Sequence, residues 1–323
     1  MEKNLSALGF MSGTSGDGVD SSVISSNGKD SITIKYNRFD TYPSKLSNKI
    51  HRIKENISKM QDLLKYSSKI EELEREITDF HVDIAIKISK QINYDLIGFH
   101  GHTIYHNSDE KISKQIGLGN SLSRKTNKTV VYDFRQNDIK NGGEGAPLAP
   151  IYHLALIRTL LKENKVTIPI SILNIGGIAN ITEIDKDFKI SSRDIGPGNC
   201  LIDKWMRKNS NNVFDKDGNF AMKGKIDKFI FDQYMDNYYY SKINSKRSLD
   251  TNDFDISFAK GLSLENGTTT ITDLTSELLS KKIGENNIYV CGGGRKNKSL
   301  INSLKRKINN NVFPIDVILS CNG

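Results

Sequence analysis

Cysteine is scarce in this chain of 323 residues: there are three, Cys200, Cys291 and Cys321. They are too few and too widely spaced for a disulfide framework, and no CxxC or Cys/His cluster suggests zinc, so a reducing compartment is expected. Long apolar runs are missing too; no stretch approaches the roughly eighteen unbroken apolar residues of a membrane span. The opening MEKNLSALGF has no basic stretch followed by a long apolar run, which argues against a signal peptide. No long linker or low-complexity tract interrupts the chain. These absences point to a folded cytoplasmic protein with no membrane partner.

Charge and glycine are plentiful. The formal charge is +8, and clustered Lys and Arg would neutralise phosphates and release counterions. The lysines instead spread through KIHRIKENISK, SRKTNK and KKIGENN, mixed with Asn, Ile, Ser and Glu, and a solvated helix surface accounts for them. A nucleic-acid partner is therefore not expected. Hydrophobic residues make up 37% and charged residues 26%, the range of soluble globular proteins. At about 150 residues per domain the length predicts two domains, divided here as 1–140 and 141–323.

Patterning predicts α/β architecture. Leu5 to Met11 and Val19 to Ser25 read as antiparallel strands joined by glycine-rich sequence, and SITIKYNRFDTY as a third strand. In KIEELEREITDFHVDIAIKISKQI, residues Ile70, Leu73, Ile77, Phe80, Ile84 and Ile88 recur at helical spacing. Strands return at DLIGFHG and KTVVYDF. A helix follows in APIYHLALIRTLLKEN, with Ile151, Leu154, Leu156 and Ile157 on its apolar face. IPISILNIGGIANITEI then repeats the opening theme of strand, glycine turn, strand. Further helices are expected over residues 226–239 and in TTTITDLTSELLSKKI, and NIYVCGGGRKNKSLINSLKRKI reads as strand, triple glycine, helix.

Several segments carry polar chemistry. In GTSGDG, glycine amides can approach an anion closely, Thr14 and Ser15 add hydroxyl donors, and Asp17 could hold Mg²⁺ or its water shell. The same residues suit an ordinary tight turn. NIGGIAN, with Gly176 and Gly177, would form a second jaw and reads equally as a hairpin turn. Gly292, Gly293 and Gly294 mark a strand-to-helix junction without the lysine of a P-loop; a base or ribose could pack there, or the junction is simply tight. His100 and His102 suit polar substrate contacts better than zinc. Asp133, Arg135 and Asp138 end an apolar strand where a hydroxyl-rich or carboxylated ligand could bind, a surface ion pair being the alternative. Asp194, in SRDIGPGN, is placed either to act as a general base or to cap a helix.

Together MSGTSGDGVD, GFHGHTIYH, DFRQNDIKNGGEGAPLAP, NIGGIANIT, DIGPGNCLID, SLDTNDFD and CGGGRKNKSL resemble the anhydro-N-acetylmuramic acid kinases, bacterial enzymes of peptidoglycan recycling in the actin-like ATPase and sugar kinase superfamily. The resemblance implies two ribonuclease H-like lobes with ATP and Mg²⁺ in a central nucleotide cleft. It implies ATP contacts at Gly13, Thr14, Ser15, Gly16, Asp17, Gly18, Val19 and Asp20, an opposing turn at Gly176 and Gly177, and adenosine beside Gly292, Gly293 and Gly294. Asp17 would hold Mg²⁺ through water. His100, His102, Asp133, Arg135 and Asp138 would bind the sugar, and Asp194 would be the catalytic base. The implied reaction opens the 1,6-anhydro ring with water and phosphorylates O6, giving N-acetylmuramic acid 6-phosphate and ADP; a homodimer is also implied. Alternatives are a kinase for another sugar or a nucleotide-binding pseudoenzyme.

The chain departs from the family pattern at Gly16, usually a large apolar residue, and at His102 and Glu144, both usually glutamine. Glu144 adds negative charge near the expected sugar site, which bears on a lactyl carboxylate. The family also continues past PIDVILSCNG into a closing helix, so a truncated C-terminal end is expected.

Overall fold

A computed structural model describes residues 4–13, 16–107, 110–240, 249–308 and 311–319. Thr14, Ser15 and Cys321 lie outside the described residues. Two units divide the chain: Met1–Leu148 with Ala155–Thr159, and Ala149–Leu154 with Leu160–Gly323.

In the first unit β1 (Leu5–Ser12), β2 (Gly18–Ser26) and β3 (Ile32–Thr41) form an antiparallel meander. Three helices follow, α1 (Ser44–Asn56), α2 (Met60–Lys65) and α3 (Ser67–Ser89). The chain then enters β4 (Leu96–Asn107), which lies parallel to β1. Next come β5 (Ile112–Ile116), α4 (Gly119–Thr126), β6 (Thr129–Tyr132) and α5 (Phe134–Lys140). On the side away from β1, β4 serves two partners: residues 96–99 pair in parallel with β6, and residues 102–107 pair antiparallel with β5.

Helical spacing makes α3 an amphipathic layer. Ile70, Leu73, Ile77, Ile84 and Ile88 are all buried and join one core with Leu8, Phe10, Ile97 and Phe99 of β1 and β4. Each such aliphatic side chain contributes about 1.5–3 kcal/mol on leaving water. α4 and α5 carried no recognised signal. α4 ends at Asn127, whose φ of 52° lies in the left-handed region that asparagine tolerates.

The second unit repeats the plan. After α6 (Pro150–Lys162), the strands β7 (Ile170–Ile175), β8 (Ile178–Ile184) and β9 (Ile190–Pro197) form a meander. α7 (Cys200–Asn209), α8 (Lys228–Tyr240) and α9 (Leu264–Ser280) lead to β10 (Asn287–Cys291), parallel to β7. Then come α10 (Lys298–Lys307), β11 (Val312–Pro314), parallel to β10, and α11 (Asp316–Leu319). The orders β3-β2-β1-β4-β6 and β9-β8-β7-β10-β11 are the same: an antiparallel meander on one side of the first strand and parallel strands on the other. This is the ribonuclease H-like arrangement, present twice.

The second core gathers Leu173, Ile181, Ile195, Trp205, Ile271, Leu274 and Val290 from both sheet and helices. α9 starts on a Ser263 hydroxyl that accepts from Asn266 N, and α10 on an Asn297 side chain that accepts from Leu300 N. On α6 the expected apolar face needs one correction. Leu156 and Ile157 are buried and Leu154 is half-buried, but Ile151 is 76% exposed. The buried stripe is His153, Leu156, Ile157 and Leu160, spaced i, i+3, i+4, i+7, and Ile151 falls off it. Among the described residues no helix is long and apolar enough to cross a membrane, and Cys200 and Cys291 are free thiols.

Candidate active site

The candidates named from the sequence fall at two glycine turns, at one cleft and its flanking helix, on β9 and at the Gly292–Gly294 junction, with His102 in the core. In the first unit, β1 and β2 run in register to Met11 opposite Asp20. Gly16 N donates to Gly13 O at 3.0 Å with Gly16 at φ +62°. The Ser47 hydroxyl of α1 donates to Gly16 O at 2.7 Å, and Tyr42 N donates to Asp17 O at 2.9 Å. A side chain at Gly18 would put its Cβ 2.4 Å from Asp40 O, so only glycine fits there. With its carbonyls at 13, 16 and 17 drawn into the protein, the turn leaves Asp17 exposed. Val19 is wholly buried in the core, and Asp20 lies on the exposed face of β2 between Met11 and Phe39. Any contact Val19 makes with a ligand is through its backbone.

A cleft of about 450 Å³ opens in the same unit, lined by His100, Gly101, Lys114, Gln115, Tyr132, Asp133 and Gln136 among others. His100 Nδ1–H donates to Gly101 O at 3.0 Å, which leaves Nε2 bare to accept from Arg135 Nε at 3.0 Å. Burial, with the Arg135 charge second, lowers the His100 pKa to about 4, so the ring is neutral. Arg135 also donates to Gly145 O at 2.5 Å. Asp138 accepts from Gly145 N at 2.7 Å, and a Cβ at Gly143 would lie 2.2 Å from its carboxylate. Asp138 thus folds the glycine-rich loop back onto α5, and the loop carbonyl in turn aims Arg135 at His100. Asp133 sits on the cleft wall at φ 60°, where the chain leaves β6 for α5. Lys114, ion-paired with Glu74 at 2.8 Å, and Gln115 also line the wall, as does Gln136 of α5; the sequence pattern does not mark Lys114 and Gln115 because β5 lacks a periodic signal. His102 takes a different place: it has no exposed surface, and its Nδ1 lies 2.8 Å from the Ser12 hydroxyl.

In the second unit the Gly176 and Gly177 carbonyls are taken by the start of α7. Gly198 N and Cys200 N donate to Gly177 O at 2.9 and 3.1 Å, and Asn199 N to Gly176 O at 2.7 Å. Because a trans peptide directs its C=O and N–H oppositely, the N–H groups of Gly177 and Ile178 point away from α7. Gly198 is obligatory, since a Cβ would fall 2.2 Å from Gly176 O. The Gly292–Gly294 run packs on the same corner: a Cβ at Gly292, φ +76°, would meet Asn174 Oδ1 at 2.5 Å, and one at Gly294 would meet the Ile175 side chain at 2.3 Å. Asn174 and Asn199 were not singled out in the sequence; Asn199 Nδ2 reaches Ile175 O at 3.4 Å. Asp194 stands opposite Asn180 on β9, and its Oδ2 accepts from Leu249 N at 2.9 Å. The second unit therefore assembles one glycine corner, at the ends of the parallel strands β7 and β10, and holds Asp194 on the edge strand β9, beyond β8.

A family model described as anhydro-N-acetylmuramic acid kinase matches residues 5–315. The chain belongs to that family. A relative named anhydro-N-acetylmuramic acid kinase from Pelagibacter ubique (strain HTCC1062) is 44% identical, over 97% of this chain and 86% of its own length. One of the same name from Rhizobium etli is 34% identical, over 91% and 81%. Among solved structures, a ROK family glucokinase from Streptomyces griseus in complex with glucose and AMPPNP is 10% identical over 98% of this chain and 97% of its own, with a TM-score of 0.41. Six of the seven stretches that carry the sequence resemblance fall on the two glycine turns, the His100 cleft, the Asp194 strand and the Gly292–Gly294 junction, and the seventh, SLDTNDFD, meets Asp194 through Leu249 N.

Proposed function

We propose that this chain is an anhydro-N-acetylmuramic acid kinase of peptidoglycan recycling, which hydrolyses the 1,6-anhydro bond of its amino sugar and transfers the γ-phosphoryl group of ATP to O6. The observation that carries the reading is membership of the family over residues 5–315, with 44% identity to a relative of that name.

The roles follow from the local chemistry. Asp194 accepts a water proton as the water attacks C1, its carboxylate oriented by the Leu249 amide that donates to Oδ2. As the C1–O6 bond breaks, O6 takes the phosphoryl group, so the freed sugar oxygen is the phosphate acceptor. His100, held neutral, Arg135 and Asp133 orient the sugar hydroxyls and carboxylate. The amides of Gly177 and Ile178 and those of the turn after Ser12 bind phosphate oxygens, and the Gly292–Gly294 backbone receives the adenosine.

Mg²⁺ fits the donor set. It is commonly held by one or two carboxylates together with substrate phosphates and water, and exposed Asp17 supplies one such carboxylate at the phosphate turn. Bound there, the ion would neutralise charge developing on the phosphate oxygens. Among the described residues no group of three or more His, Cys, Asp or Glu side chains forms a closed metal cage.

Incubation with Mg-ATP and 1,6-anhydro-N-acetylmuramic acid should give a product with the mass of N-acetylmuramic acid 6-phosphate and equimolar ADP. ATP binding with no sugar phosphate would leave a nucleotide-binding protein and refute the kinase.

A further inference from the structure

Ser12, the last residue of β1 before the first glycine turn, sits in a buried chain of polar groups. The Tyr42 hydroxyl donates to Ser12 Oγ at 2.9 Å, and Ser12 Oγ lies 2.8 Å from His102 Nδ1. Exposure is 3% at Ser12, 3% at Tyr42 and zero at His102, so water does not compete for these bonds. The three residues come from three segments: the end of β1, the residue after β3, and β4, where His102 pairs in register with Ser12. Tyr42 also grips the far side of the turn, because its backbone N–H donates to Asp17 O. One residue therefore holds both ends of the turn.

The proton positions can be assigned by counting. If Tyr42 donates to Ser12 and Ser12 to His102, the ring carries its proton on Nε2, and one buried group, that Nε2–H, is unpartnered among the described residues. If instead Nδ1–H donated to Ser12, both the serine proton and the bare Nε2 would be left over. Burying fewer unmatched groups favours the first arrangement. Burial, with Lys54, His100, His51 and His81 adding to it, lowers the His102 pKa to about 3, so the ring stays neutral whichever nitrogen carries the proton.

We propose that Tyr42, Ser12 and His102 form a positioning chain that fixes the two ends of the first glycine turn, Ser12 and Asp17, for nucleotide phosphate, and that His102 acts through these ends and not on the sugar. The proposal rests on the kinase reading above. It assigns to His102 a polar partner for β1, and to Tyr42 the coupling between β3 and the turn.

Two measurements test it. Ring-carbon and ring-nitrogen NMR of labelled protein should report His102 as the Nε2–H tautomer, unchanged from pH 5 to 9; an Nδ1–H ring or an imidazolium in that range overturns the chain. Calorimetric titration with Mg-ADP and, separately, with the anhydro sugar should find Tyr42→Phe and Ser12→Ala weakened about 5- to 20-fold toward nucleotide, with sugar affinity within about 2-fold of the parent. His102→Leu should behave like them, while His102→Gln, which keeps an acceptor for the Ser12 proton, should recover most of the nucleotide affinity. Sugar affinity that falls in the His102 variants while nucleotide affinity holds would make His102 a sugar ligand and refute the proposal. A parent protein that binds no nucleotide removes the kinase reading together with this one; a parent that binds it, with Tyr42→Phe indistinguishable, removes this one alone.

Discussion

At the scale of single residues, the functional reading concentrates on Asp194 and Arg135. Asp194→Asn keeps a carbonyl oxygen for the Leu249 amide but loses the base, so turnover should fall about 10²- to 10⁴-fold with ATP affinity nearly unchanged. Steady-state rates and calorimetry on the same preparation check both halves of that statement; retained turnover would strip Asp194 of its role. Arg135 makes two contacts that a lysine cannot make together, one to His100 Nε2 and one to Gly145 O. Arg135→Lys should therefore weaken sugar binding by about tenfold through misalignment of His100, leaving nucleotide affinity intact. An equal loss for both ligands would indicate a general structural effect. What short motifs made legible here is proximity: His100 and Asp133, named from the chain, line one cleft, and Arg135 donates to His100. His102 was legible as a polar residue but not as a buried one, since the bond to Ser12 joins positions 90 residues apart and neither flank records it.

At the scale of elements, the glycines divide into those that free an amide and those that relieve a clash. Gly198 is of the second kind. Gly198→Ala would drive a methyl group into the Gly176 carbonyl, displacing the turn that α7 holds. The expected loss is about 1–3 kcal/mol of stability together with weaker nucleotide binding, read by denaturant titration and by Mg-ADP calorimetry. Unchanged values for both would mean that the turn tolerates the displacement. Strong periodicity made α3 and the hairpins β1–β2 and β7–β8 readable in advance. The short elements were not. β5 reads ISKQI and α4 reads GNSLSRKT; each lacks a stripe, and each exists because Ile116 and Leu122 bury against the core of the first unit. Lys114 and Gln115 went unnoticed for that reason, although they line the same cleft as His100.

At the scale of the whole molecule, three buried histidines, His81, His102 and His153, and the half-buried His100 make stability depend on pH. His81, His100 and His153 have pKa values lowered to about 4 and His102 to about 3, in each case with burial as the first cause. Because the folded values lie below the unfolded one, stability is fully present above the unfolded pKa of about 6.5 and is lost as pH falls toward the folded values. Between pH 7 and 5.5 each ring should remove about 1 kcal/mol, as the unfolded chain takes up protons that the folded one refuses. Scanning calorimetry across that range should record a falling midpoint; a flat profile would mean that the rings are accessible to protons in the native state. The duplicated plan was also readable at this scale, since strand, glycine turn and strand occur early in each half. The identity of the two strand orders followed only from the family resemblance and not from the pattern of residues, because the parallel pairings of β1 with β4 and of β7 with β10 join segments separated by the intervening helices.

The hairpin that carries Gly176 and Gly177 joins strands adjacent in sequence, and such neighbours meet quickly once a chain collapses. The bend that would receive a nucleotide is thereby also one of the earliest places where the second unit can begin to organise. Selection acting on ligand affinity at this bend would act at the same time on the speed of refolding, and a substitution there would be felt in the kinetics of self-assembly before any substrate arrived.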